Sequence, residues 1–158
     1  MLGKLDQFEI DALLHNQILG RIGCHANDVT YIVPISYAYD GECIYAITHE
    51  GLKIDIMRQN NQVCFEAEQI PNMAAWQTVI CWGEFEELTE MPDRHRALEL
   101  LSKRKLPNMS SQTTKLSPTW PFQTGDIDSI KGVVFRIRLI RKTGRFEKHE
   151  TESIYAWD

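Results

Sequence analysis

No apolar run in the sequence approaches the roughly 20 residues that a helix needs to span a bilayer. A basic excess is missing too: 17 Lys and Arg stand against 22 Asp and Glu, a formal net charge of −5. A general nucleic-acid binder needs the opposite balance to neutralise phosphates, so neither nucleic acid nor a membrane is an expected partner. Walker and Rossmann glycine patterns are absent, as is the Gly-x-Ser-x-Gly nucleophile elbow. The five histidines show no i, i+4 pairing and no cysteine at ligand spacing, so no metal site is expected. The four cysteines, Cys24, Cys43, Cys64 and Cys81, form no C-x-x-C hook. Each sits in an apolar run that reads as a strand, the place of a small buried hydrophobe in a reducing compartment. The opening "MLGKLDQFEIDALL" mixes acids with apolar residues and reads unlike a signal peptide. A cytoplasmic location is the expectation.

What remains is an ordinary globular composition, 43% hydrophobic and 25% charged over 158 residues. It suits a single domain over residues 1–158. Residues 5–18 carry helical spacing, with Asp6 and Glu9 placed as a capping box. "TYIVPISYAYD" alternates as a strand, Asp40–Gly41 marks a hairpin turn, and "ECIYAITH" returns. "QVCFEAE" (62–68) and "WQTVICWGEFEELT" (76–89) read as a second antiparallel pair. A second helix is expected over 92–105, with Pro92 in its first turn, and a long strand over 131–147. With "GRIGCHA" as a short, glycine-punctuated first strand, six or so strands joined mostly by short turns, with flanking helices, predict a mainly β fold, a small antiparallel barrel. So small a barrel is filled by its own side chains. A large cofactor must then lie outside, in a groove that a second subunit can complete.

Three stretches carry possible chemistry. In "YAITHEGLKIDIMRQN", a strand breaks at Gly51 and a helix begins near Leu52. Thr48 offers a hydroxyl, the helix start offers N–H groups without partners, and Lys53 adds a cation. Together they suit a phosphate, with Gly51 taking a left-handed corner; the plain alternative is a turn with a solvated lysine. In "YIVPISYAY", Pro34 cannot donate to a ladder. The amides of Ile35 and Ser36 beside it are expected to face outward, free for a heterocycle with a donor–acceptor edge, such as the pyrimidine end of a flavin; the alternative is an edge strand guarded by proline. In "WQTVICWGEFEEL", Thr78 is a small polar residue in an otherwise buried strand. Its hydroxyl faces a ligand or bonds the backbone.

The order of these stretches resembles the FMN-binding split-barrel superfamily of pyridoxamine 5′-phosphate oxidase-like proteins, and within it the nitroimidazole-reductase-like branch. The stretch "ILGRIGCHANDVTYIVPISYAYDGECIYAITHEGLKIDIMRQNNQVCFE" carries the resemblance, and "FRIRLIRKTGRFE" resembles the closing strand. The resemblance implies a six-stranded antiparallel split barrel that binds FMN at the interface of a homodimer. It implies that Pro34, Ile35, Ser36 and Tyr37 line the isoalloxazine. It implies that Ala46, Ile47, Thr48, Leu52 and Lys53 hold the phosphate end, and that Thr78, five residues before Gly83, faces the ring. That branch often carries a histidine where Ile47 stands here; His49, two residues on, is the candidate catalytic residue or else a solvated turn residue. Trp120, in the proline-flanked knot "SPTWPF", is a further candidate to stack on the flavin. The acidic "TESIYAWD" lacks the basic residues that recognise a pyridoxal-type phosphate in true pyridoxamine phosphate oxidases. The implied activity is therefore a small oxidoreductase. It passes electrons from NAD(P)H through FMN to a small electrophilic or nitro-type substrate. The alternatives are a flavin-binding sensor without turnover and a haem-binding member of the same fold.

Overall fold

The computed structural model describes residues 1–104 and 127–149. In chain order the elements are β1 (Leu2–Lys4), α1 (Gln7–Asn16), β2 (Leu19–Ala26), β3 (Val29–Ser36), β4 (Ala38–Tyr39) and β5 (Cys43–Thr48). They continue with α2 (Leu52–Gln59), β6 (Gln62–Asn72), β7 (Ala75–Glu87), α3 (Met91–Ser102), a 3₁₀ turn (Ile127–Ser129) and β8 (Val133–Glu147). Among the described residues, no helix is long and apolar enough to cross a membrane.

All strands pair antiparallel in one sheet of order β3-β2-β6-β7-β8-β5-β4, with β1 added on β8. The fold is the expected antiparallel split barrel, with eight strands rather than six. The two additions are short. β1 is three residues around Gly3, too few to show alternation, and pairs Leu2 with Glu147. β4 is a two-residue continuation of β3.

That continuation closes the barrel. β3 lies at one edge of the sheet and β4 at the other, and only Tyr37 separates them in the chain. The two edges must therefore meet at Tyr37, which is fully buried.

Local signals are where the residues place them. Asp6 accepts from the Glu9 amide at 2.8 Å and Glu9 from the Asp6 amide at 2.9 Å, completing the capping box of α1. Gly41 takes φ +100° in the hairpin between β4 and β5. Asn27 and Asp28, both at positive φ, make the two-residue turn between β2 and β3. All four cysteines lie in strands, and all are free thiols.

Inward residues of alternate positions fill the barrel, among them Ile22, Ile35, Phe65, Val79, Cys81 and Phe135, and α1 and α2 close it with Leu14, Ile54 and Met57. A second cluster packs Tyr45, Ile47 and Val134 against Ala97, Leu98 and Leu101 of α3. Every residue of β5 is consequently buried, which accounts for its near-continuous apolar run.

Candidate functional site

β5 extends beyond β4. The pair between them ends at Ala38 opposite Tyr45, so Ala46, Ile47 and Thr48 have no ladder partner on that side. β3 pairs only with β2, so its other edge is open as well. The structure thus brings Pro34–Ser36 and Ala46–Thr48 to the two lips of one seam, the split of the barrel.

Backbone alternation decides what the β3 lip offers. The Tyr37 amide donates to the Ile18 carbonyl at 3.0 Å. Antiparallel pairing alternates every residue, so the Ile35 N–H also turns to β2 and the Ser36 N–H turns to the seam. The expectation that both amides face outward is corrected to one. Pro34 falls at an outward position, where its missing N–H costs the ladder nothing.

At the β5 lip, the side chains of Ala46 and Ile47 point into the two cores and are buried; by the same alternation the Ile47 backbone faces the seam, while that of Ala46 turns to Phe135 of β8. Thr48, 6% exposed, is the single buried polar residue among those described. Past it the chain turns into α2. Gly51 is the N-cap, at φ 167° and ψ −173°. That is extended backbone, not the left-handed corner expected, and a Cβ there would meet nothing within 4 Å. Glycine is used here for what it leaves open: no side chain caps the first turn of α2, whose N–H groups stay available. Leu52, the first helical residue, is 52% exposed. Lys53 is half-buried and makes no ion pair or hydrogen bond among the described residues. Burial lowers its pKa, and the nearby Cys24 thiol opposes that shift. A half-buried cation without a partner is costly unless an anion joins it.

Thr78 lies on the outer face of the sheet, half-buried, and donates to Glu66 Oε1 at 2.9 Å. Glu66 and Glu68 both take Arg21, at 3.1 and 2.8 Å. Arg21 sits opposite Pro34 in the β2–β3 register and opposite Glu66 in the β2–β6 register. One polar row therefore ties Thr78 to the proline strand across four strands. Beside it runs a more apolar row of Ile32, Gly23, Cys64 and Trp82. Ile32 is 68% and Trp82 40% exposed, and the Arg141 guanidinium lies 4.8 Å from the Trp82 ring centre.

His49 is exposed and sits elsewhere. It lines a cleft of about 620 Å³ with Glu87, Met91, Arg94 and Gly132, on the side of β5 that faces α3. None of the seam residues lines that cleft. Arg136 and Arg138, on the outer face of β8, pair with Glu86 and Glu84 at 2.8 and 3.0 Å and are occupied there. Trp120 lies outside the described residues.

One residue had no signal in the sequence. Arg104, just past α3, donates to Ser36 Oγ at 2.5 Å and to the Tyr37 carbonyl at 2.8 Å. Its acceptors lie 68 and 67 positions away, and no local pattern announces such a contact.

Comparison with known proteins places this geometry. A FAD-binding protein of Mesorhizobium loti has a similar structure, with a TM-score of 0.72, 26% identity, and coverage of 94% of this chain and 99% of that one. A candidate 5-nitroimidazole antibiotic resistance protein of Bacteroides thetaiotaomicron shares the fold at TM-score 0.68 and 16% identity, over 92% of this chain and 87% of that one. An uncharacterised protein of Rhizobium meliloti is 34% identical over 90 residues. That match covers 54% of this chain and 60% of the relative, so the chain spans about three-fifths of the curated relative's length. The profile of one family, described as pyridoxamine 5′-phosphate oxidase, matches residues 6–145, from the cap of α1 to near the end of β8. With both lips of the seam and β2 to β7 inside that match, the chain belongs to the pyridoxamine 5′-phosphate oxidase family.

Proposed function

We propose that the protein is an FMN-binding flavoprotein acting as a small oxidoreductase. The observation that carries the reading is Lys53: a half-buried cation without an ion pair, at a helix start that no side chain caps. Donors in that arrangement suit a phosphate monoester. The residues fit the rest of the cofactor as well. The Ser36 N–H opens to the seam, Thr48 offers a hydroxyl at its other lip, and Ile47, next to Ala46, offers its backbone. The barrel is filled by its own side chains, so the ring lies outside it. The flavin supplies the redox chemistry when bound; these residues anchor its phosphate and orient its ring.

A second copy of the chain completes the groove in this reading. Ile32 and Trp82 present exposed apolar surface on the outer sheet face beside Thr78, and burying such a patch favours association. The electron donor is NAD(P)H and the acceptor a small electrophilic or nitro-type molecule. Pyridoxamine phosphate is not the substrate in this reading, since the acidic "TESIYAWD" lacks the basic residues to recognise it.

The experiment is an absorption spectrum of purified protein after incubation with FMN or with FAD and removal of free dye. Retained FMN supports the reading. FAD retained in preference to FMN overturns the cofactor assignment, and retention of neither from folded protein overturns flavin binding. Bleaching of bound FMN by NADH or NADPH separates an oxidoreductase from a sensor.

A further inference from the structure

Arg104 reaches back from the end of α3 to the β3 lip of the seam. Its Nε donates to the Leu101 carbonyl at 2.9 Å, which orients the guanidinium plane. Its Nη1 has two hydrogens, and two acceptors meet them: Ser36 Oγ at 2.5 Å and the Tyr37 carbonyl at 2.8 Å. Burial draws the Arg104 pKa down to about 10, so the group remains charged at neutral pH. Beside it, between the end of α1, β4 and α3, lies a cavity of about 320 Å³ lined by His15, Tyr39 and Lys103 among others. That cavity touches the end of β3 at Tyr37. Charge-assisted bonds from Arg104 add to the bond of the Tyr37 amide to Ile18 in holding that strand end.

We propose that Arg104 is a positioning residue for the flavin: it fixes the Ser36–Tyr37 backbone from inside the protein, so that the Ser36 N–H is presented to the seam in one orientation. This rests on the flavin reading above. Ser36 then has a divided role. Its hydroxyl oxygen is held by Arg104, and its amide is left for the ligand. A lysine cannot reproduce the arrangement, because a single ammonium has no fixed fork to meet three acceptors in one plane. The end of α3 is thereby coupled to the cofactor strand through one side chain.

Two arms test the proposal. In flavin-free protein, amide exchange of a peptide covering residues 35–37 is compared between wild type and Arg104→Met. Faster exchange there, with β6 and β7 unchanged, is expected; equal protection overturns the positioning role. In the loaded protein, Arg104→Met and Ser36→Ala are each titrated with FMN. Arg104→Met is expected to weaken binding about ten- to a hundredfold. The visible band of its bound flavin should lose the resolved shoulders of a fixed ring. Ser36→Ala should cost less, and the double variant should cost less than the two single losses combined. Unchanged affinity and band shape in a folded Arg104→Met overturn the proposal. If Arg104→Met does not fold, Ser36→Ala decides: FMN affinity equal to wild type overturns it. Wild-type protein that takes up no FMN overturns the flavin reading and the ligand half of this one, while the exchange arm still decides whether Arg104 holds the strand.

Discussion

The phenol of Tyr37 donates a hydrogen bond to the backbone carbonyl of Leu14 at 2.8 Å, inside the protein. Leu14 lies in the last turn of α1, where carbonyls lack helical partners. Tyr37 is the residue at which the two sheet edges meet. One side chain therefore finishes a helix and pins the closure of the barrel, and burial pushes its ionisation well above the usual tyrosine range. Tyr37→Phe keeps the ring and its packing against Phe65 but leaves the Leu14 carbonyl unsatisfied. A loss of about 1–3 kcal/mol in unfolding free energy is expected, measured by urea denaturation. A loss within error of zero would show that water replaces the phenol.

Lys53 bears on binding rather than folding. It pairs with nothing among the described residues, so Lys53→Ala should leave the melting temperature near that of wild type. FMN affinity should fall about ten- to a hundredfold, or about 1.4–2.7 kcal/mol. Fluorescence titration reads it, and an unchanged dissociation constant would remove Lys53 from the phosphate site.

Gly51 gives a prediction of opposite signs. A carboxylate at the N-cap of α2 satisfies its first amides and suits the helix dipole, so Gly51→Asp should stabilise the protein by about 0.5–1 kcal/mol. The same carboxylate competes with a phosphate and repels it, and FMN should bind about a hundredfold more weakly. Greater stability with undiminished FMN binding would place the phosphate elsewhere.

Asp40 sets an acid limit. Burial opposes its ionisation. The amides of Cys43 and Glu42, at 2.7 and 2.8 Å, and the Tyr45 hydroxyl, at 3.0 Å, outweigh that effect and hold its pKa below the usual carboxylate value. A folded pKa below that of the unfolded chain, about 3.9, gives stability that is complete above the unfolded value and lost as pH falls through the folded one. Asp40→Ala should cost about 1–3 kcal/mol at pH 7. The gap from wild type should shrink as pH drops below about 4. A gap independent of pH would mean that the carboxylate contributes through its shape alone.

The outer sheet face tests the second copy. Trp82→Glu places a charge in the row of Ile32 and Cys64 without touching the buried side of β7. Sedimentation should show a dimer becoming a monomer, with FMN retention lost alongside. A variant that keeps the oligomeric state of wild type would exclude this face as the interface.

Much of this was legible in the residues. The alternation in "TYIVPISYAYD" and the Asp40–Gly41 turn are local signals, and local chemistry produced them. The capping box of Asp6 and Glu9 is a three-residue pattern, equally local. The end of α3 was less clear: "SKRK" continues the helical composition expected to 105, but the helix stops at Ser102, and Arg104 turns inward. β1 was missed because its only support is β8, more than 130 residues along the chain. Gly51 was misread for a different reason. A glycine at a corner suggests positive φ, whereas here the missing Cβ leaves space. Which amides of β3 face the seam also depends on the pairing frame with β2, which composition does not reveal.

β8 has consequences for how the chain is made. It is the last strand in the described sequence, yet it pairs with β1, β5 and β7. During synthesis, both β5 and β7 lack their shared partner until residues 133–147 have emerged. Up to that point the nascent chain presents two apolar strands with open edges, the kind that associate wrongly with other chains. Barrel closure thus waits until residues 133–147 are made, and a truncation before them would do more than shorten the chain: it would leave the sheet without its middle.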